Sequence, residues 1–259
     1  IKGSLTRYPA ALGRIEGFPI TIARPKKKKK DFMRVEMESN CSLRGRLDAT
    51  ANNLAAAEAS GEALLLLNAD AWLEAGALDL LAAKLDGDPD IGLVAPRLRY
   101  PDGQRQFSWS PARGFVGEVL QRARNPFEAW ALAHGSLARW VARLVGPTWF
   151  TAACVLIRPE AFRAVGGFDE SFFMYFEDVD LCIRLEAAGW RLVQEPRAVV
   201  CHAGGVASRS DVDDLYRPSQ LRFYRLHRPH WESRLVERRL RRRFGDATVE
   251  RWLSVERGR

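Results

Sequence analysis

The sequence predicts an α/β domain built on a mostly parallel sheet flanked by helices, and three observations carry that expectation. Helix-like text alternates with short apolar runs: Asn52–Ala59, Ala63–Leu67, Gly76–Leu85, then Ile91–Ala95. The links between them are short, the pattern of a sheet with crossover helices. Ala63–Leu67 is apolar without interruption (Ala-Leu-Leu-Leu-Leu), the look of a strand buried on both faces. In such sheets ligands bind beyond the carboxyl ends of the strands, which is where Asn68-Ala69-Asp70 falls.

Composition frames the rest. The 259 residues, 47% hydrophobic and 28% charged, suit a soluble globular chain able to bury a sizeable core. No run of eighteen apolar residues is present to span a membrane unaided. The N-terminus lacks a charged-then-apolar signal pattern, and it opens on Ile1 rather than Met, as a fragment or a processed form does. Cys41, Cys154, Cys182 and Cys201 are widely spaced with no CxxC pair, which argues against a zinc ribbon and for a reducing, cytoplasmic compartment. The net charge of +8 divides as +7 over residues 1–50, −7 over 51–216 and +8 over 217–259. Basic ends on an acidic body suggest an anionic surface as partner for the ends.

Residues 1–50 hold the lysine run Lys26–Lys30 and no long periodic segment, the composition of a basic, disordered leader. Inside it, Phe18–Ala23, bracketed by Pro19 and Pro25, has the text of an edge strand. The helix at Asn52–Ala59 stops at Gly61, and the helix at Gly76–Leu85 closes in Asp86-Gly87-Asp88-Pro89. After the strand Ile91–Ala95 comes the turn Pro101-Asp102-Gly103. Residues 104–146 break the alternation with Trp109, Trp130 and Trp140 and helical spacing over Phe127–Leu144, as a helical insertion or lid would. Strand-like text returns at Trp149–Ile157. A short helix, Pro159–Val165, is stopped by Gly166-Gly167, and Gly189–Gln194 and Ala198–Cys201 are the last strands. The tail from Pro218 is helical and basic, with Arg238, Arg239 and Arg241–Arg243 nearly contiguous. Trp231, Leu235, Val236, Leu240 and Phe244 are interleaved at three- and four-residue spacing. That is a basic amphipathic helix suited to an anionic membrane surface; a solvated, salt-bridged terminal helix has the same text.

Chemistry concentrates in Gly166–Leu185. The aromatic run Phe172–Phe176 delivers Glu177, Asp178 and Asp180, and charge placed after so much apolar surface needs partners. If a helix starts near Glu177, Glu177 and Asp180 share a face, and Asp180 lies four residues before Arg184. Acids in a first turn also offset the macrodipole. Asp178 is the carboxylate left to face a cleft and act as a general base. Asp70 and His202 offer oxygen and imidazole ligands for a divalent ion, Mg²⁺ or Mn²⁺.

Four segments carry a resemblance: Leu66-Leu67-Asn68-Ala69-Asp70, Gly166-Gly167-Phe168-Asp169-Glu170-Ser171-Phe172-Phe173, Tyr175-Phe176-Glu177-Asp178-Val179-Asp180-Leu181-Cys182 and His202-Ala203-Gly204-Gly205. In this order, over roughly Ala51 to Arg228, the chain resembles the family-2 glycosyltransferases of GT-A fold, nearest the bacterial rhamnosyltransferase-like branch. The resemblance implies inverting transfer of a sugar from a nucleotide-sugar donor to an acceptor hydroxyl of a lipid-linked or cell-surface glycan, at the cytoplasmic membrane face. It implies Asp178 as base, with Glu177, Gly166, Gly167 and Trp149 on the acceptor side. Asn68, Asp70 and His202 fall on the donor-phosphate side, with the divalent metal at Asp70 and His202. The chain departs from the family in two places. Residues 1–50 hold no match to the first strand-loop unit that binds base and ribose, and Ala152 stands where a glycine is common. An inactive remnant lacking that unit is therefore the alternative, and a basic nucleic-acid-binding protein is the alternative of another class; the acidic middle argues against the latter.

Overall fold

The computed structural model describes residues 20–23, 33–35, 47–68, 70–106, 108–110, 149–172, 175–203 and 209–257. The lysine run Lys26–Lys30 and nearly all of the expected insertion at 104–146 lie outside them. The chain divides into two compact units. The first gathers residues 1–108, 150–170 and 177–206; the second gathers 109–149, 171–176 and 207–259.

The first unit is a mixed sheet with helices. Its strands are β1 (Ile20–Ala23), β2 (Met33–Val35), β3 (Leu64–Leu67), β4 (Ala71–Leu73), β5 (Ile91–Arg99), β6 (Arg105–Gln106), β9 (Cys154–Ile157) and β10 (Arg191–His202). Two short strands, β7 (Trp109–Ser110) and β8 (Trp149–Phe150), complete the numbering. Helices α1 (Leu47–Glu58), α2 (Ala77–Asp86), α3 (Pro159–Ala164) and α4 (Glu177–Ala187) alternate with the strands, as the sequence predicts. The sheet order is β2-β1-β3-β9-β5-β10-β4, with β6 hydrogen-bonded to β5.

The α/β architecture is as expected, but the sheet is not mostly parallel. Only the β5–β10 pairing is parallel among the described ladders; β1–β2, β1–β3, β3–β9, β5–β9, β5–β6 and β4–β10 are all antiparallel. β3, β5 and β10 do share one direction, and β9 runs against them from the slot between β3 and β5. A continuous apolar run reports burial on both faces, and burial is silent about direction. Leu64–Leu67 are all buried, packed through Leu65 and Leu67 into a core with Leu81 and Leu85 of α2, Val94, Leu156 and Val200. The expected edge strand also has another place: β1 is flanked by β2 and β3, so it lies inside the sheet and residues 1–50 contribute two of its strands.

The second unit contains three mutually packed helices, α5 (Arg209–His227), α6 (His230–Phe244) and α7 (Asp246–Arg257). They bury Leu221, Phe223, Tyr224, Val236, Leu240, Val249, Trp252 and Leu253. Several tail arginines are held in ion pairs: Arg228 with Glu232 at 2.7 Å, Arg241 with Glu237 at 2.8 Å, and Arg251 with Asp214 at 2.8 Å. The apolar set expected along the tail is split. Val236 and Leu240 turn inward, whereas Trp231 and Leu235 face solvent.

Candidate active site

Helix α4 begins at Glu177 with three acids in its first turn, where unbonded N–H groups and the macrodipole favour negative charge. The two residues before it, Tyr175 and Phe176, have φ of 67° and 68°, left-handed values costly for aromatic side chains. Asp178 is the acid turned to the strand edge. Its Oδ1 accepts the Val179 N–H at 2.8 Å and its Oδ2 the Ala152 N–H at 3.3 Å. The Thr151 hydroxyl also donates to this carboxylate. Burial pushes the Asp178 carboxyl up to about 6, against the opposing pull of those three donors. Such a group is largely ionised at neutral pH yet basic enough to take a proton from an alcohol.

Asp180 has a different task. It is buried and binds Arg184 through Nε at 2.8 Å and Nη2 at 2.5 Å, the i,i+4 pairing expected from the sequence. The same guanidinium donates from Nη1 to the carbonyls of Val165 at 2.6 Å and Gly167 at 2.7 Å, tying α4 to the glycine turn. Gly166 and Gly167 both have positive φ, 75° and 73°. A Cβ on Gly167 would stand 2.4 Å from Asn53 Oδ1, so any side chain here must displace Asn53 from its hydrogen bonds. Asn53 in turn accepts the Phe168 N–H at 2.8 Å and donates to the Phe168 carbonyl at 2.9 Å. It also donates to Glu170, whose second oxygen accepts from Thr50. The Gly-Gly-Phe-Asp-Glu segment is thus a braced turn between α1 and α4.

The other expected pair meets at the ends of β3 and β10. Antiparallel pairing of β4 with β10 sets His202 opposite Ala71, and the Ala203 N–H donates to the Asp70 carbonyl at 2.9 Å. His202 Nε2 lies 3.1 Å from Asp70 Oδ1, and Nδ1 lies 2.9 Å from Gln106 Oε1. Both ring nitrogens of His202 are thus in polar contact, one with an amide and one with a carboxylate. Among the described residues no group of three or more His, Cys, Asp or Glu gathers around a metal. Asp70 and His202 offer one carboxylate and one imidazole, two donors of the kinds a divalent cation accepts.

These places share one edge. The Asn68 N–H donates to Ala153 O at 3.0 Å, Leu67 pairs with Cys154, and Ala152 holds Asp178. Residues 151–153 are thus the common strip between the Asn68–Asp70 loop and α4. Asp178, Asn68, Asp70 and His202 come together on this edge of the first unit. Gly166 and Gly167 lie in the braced turn, Glu177 is half-buried at the start of α4, and Trp149 belongs to the second unit. Thr151 and Gln106 belong to no motif that marks them as site residues. Gln106 arrives through β6, which pairs opposite Leu98 on the edge of β5 away from β10, and its side chain reaches across β5 to His202. Its only advance signal is the Pro-Asp-Gly turn that folds β6 back.

A raised carboxyl at a helix start and an Asp–His pair, both at the carboxyl edge of co-directional strands, mark the chain as an α/β enzyme working at that edge. It belongs to the glycosyl transferase family group 2, which it matches over residues 63–225, more than half of its length. It is 39% identical over 147 residues to the N-acetylglucosaminyl-diphospho-decaprenol L-rhamnosyltransferase of Mycobacterium tuberculosis, covering 54% of this chain and 46% of the relative. It is 34% identical over 167 residues to the O-antigen biosynthesis protein RfbC of Myxococcus xanthus, 62% of this chain and 12% of that protein. With Rhamnosyltransferase WbbL of Escherichia coli it shares 39% identity over 69 residues, 27% of this chain and 26% of that one. The chain spans less than half the length of each of these relatives. No helix among the described residues is long and apolar enough to cross a membrane.

Proposed function

We propose that the chain is an inverting glycosyltransferase that moves a sugar, a rhamnosyl or hexosyl unit, from a dTDP- or UDP-sugar to an acceptor hydroxyl. The observation that carries it is Asp178, a carboxyl near 6 held by backbone and hydroxyl donors at a helix start. In this reaction Asp178 takes the acceptor hydroxyl proton as its oxygen bonds to the anomeric carbon. The bond from that carbon to the diphosphate oxygen breaks, and the nucleoside diphosphate leaves with the electron pair from the opposite face. Asn68, Asp70 and His202 face the donor phosphates, with Gln106 fixing the imidazole. Glu177, Gly166, Gly167 and Trp149 belong to the acceptor side. A Mg²⁺ or Mn²⁺ ion held by Asp70 and His202 would neutralise charge growing on the leaving diphosphate.

The likeness to a rhamnosyltransferase named for a diphospho-decaprenol acceptor and to an O-antigen biosynthesis protein supports a lipid-linked or polysaccharide acceptor. With such an acceptor the enzyme would work at the cytoplasmic membrane face, with the basic C-terminal helices toward anionic lipid. The test is transfer by the purified chain from a panel of UDP- and dTDP-sugars, with and without Mn²⁺, for wild type and Asp178→Asn. Metal-dependent transfer abolished in Asp178→Asn supports the proposal. Equal rates in both chains would remove Asp178 as base, and no nucleotide binding at all would mean an inactive remnant.

A further inference from the structure

Helix α6 has two unlike faces. At 100° per residue, Glu232, Val236 and Leu240 lie on one side and are buried. Trp231, Arg234, Leu235, Arg238 and Arg242 lie within one arc on the opposite side. Trp231 is 61% exposed and Leu235 40% exposed, although inward positions were available to apolar residues on the same helix. No acid stands in that arc. The acids of α6 are spent elsewhere: Glu232 binds Arg228, and Glu237 binds Arg241. Arg234, Arg238, Arg239 and Arg242 are exposed and, among the described residues, in no ion pair.

We propose that this outer face of α6 is the surface on which the protein lies against an anionic bilayer. The helix would rest in the plane of the interface, with Trp231 and Leu235 entering the headgroup–acyl boundary. Arg234, Arg238 and Arg242 would flank them against lipid phosphates. The inference deepens the proposed membrane partner by naming the residues that make the contact, and it rests on that part of the proposed function. Two features favour a bilayer over other partners. The charge is of one sign and uncompensated, and the apolar pair is an aromatic with an aliphatic one turn away. At 15 residues the helix is too short to cross a bilayer but long enough to lie on one.

The test is sedimentation of the full chain with vesicles of phosphatidylcholine alone and of phosphatidylcholine with about 30% phosphatidylglycerol (a probe composition), at ~0.1 M salt. Wild type is expected to bind the mixed vesicles and not the neutral ones. Each arginine near an anionic surface adds about a factor of five, so R234Q/R238Q/R242Q is expected to weaken binding about a hundredfold. W231A/L235A is expected to weaken it about tenfold. K84Q/R97Q, which removes exposed charge from the first unit, is expected to leave binding unchanged. Thermal melts confirm that each variant folds. Equal binding by R234Q/R238Q/R242Q and wild type overturns the proposal, as does no binding to the mixed vesicles. So does loss of self-association or of nucleic-acid binding, rather than vesicle binding, on changing this face. Vesicle binding needs no nucleotide sugar, so an inactive chain that still binds would count against the transferase reading alone. An active chain that ignores vesicles would count against this surface alone.

Discussion

Replacing Asp178 by Asn separates the catalytic use of this carboxyl from its cost to the fold. The carboxyl titrates near 6 in the folded protein against an ordinary value of 3.8, and the dominant cause is burial. A carboxyl raised on folding stabilises the fold below its unfolded value, and that contribution disappears as pH rises through the folded one. The shift is roughly two units, so ionising Asp178 costs about 3 kcal/mol at pH 7 and above. Asn has nearly the shape of the protonated acid and never ionises. Urea denaturation of both chains between pH 4.5 and 8 is the assay. The variant's advantage is expected to grow from about 1 kcal/mol at pH 4.5 to about 3 kcal/mol above pH 7. Transfer activity is expected to fall about 10²–10⁴-fold in the same variant. An advantage independent of pH, or a variant less stable than wild type at pH 8, would refute the account of Asp178 as a carboxyl raised by burial.

Three further outcomes follow from the same geometry. Thr151→Val removes a hydroxyl that stabilises the Asp178 carboxylate, so the acid limb of the pH–rate profile should move up by about one unit, with rates at pH 9 unchanged. Arg184→Met leaves buried Asp180 without its guanidinium and frees two carbonyls. It should cost about 3–5 kcal/mol in denaturant melts, with Asp180→Asn in the same chain recovering part of the loss. Gly167→Ala places a methyl against Asn53 and should cost about 3 kcal/mol. Gly166→Ala meets nothing within 4 Å and should cost only about 1 kcal/mol, a contrast that calorimetry of the two variants can resolve.

Local features of the fold were legible in the sequence, because they depend on neighbours a few residues away. The four leucines at 64–67 announced a buried strand, the four-residue spacing announced the Asp180–Arg184 pair, and Gly166-Gly167 announced a stop. Strand direction was not legible, since β9 enters the slot between β3 and β5 from far along the chain. β4 was missed because three residues, Ala71-Trp72-Leu73, are too few to show a period. Of the site, the acids and His202 were visible through their motifs, whereas Gln106 and Thr151 were not. Gln106 touches His202 across 96 positions, and Ala152 touches Asp178 across 26, so neither contact leaves a local pattern. The tail's amphipathic spacing was visible, but which of its apolar residues face inward depends on packing against α5 and α7.

The place of β9 has a consequence for how the chain is made. β3 and β5 leave the ribosome well before β9, so among the described strands only the end of β5, paired with β6, has a partner on the facing edges until β9 is made. Two apolar strands with open ladders are an invitation to pair with another chain. β3 and β5 are joined only when Cys154–Ile157 arrives, and the same arrival brings Thr151 and Ala152 to the strip that will hold Asp178. The joining of β3 to β5 and the placing of the Asp178 carboxylate therefore depend on one stretch of polypeptide. A nascent chain stalled before it would carry an unpaired sheet as well as an unfinished site.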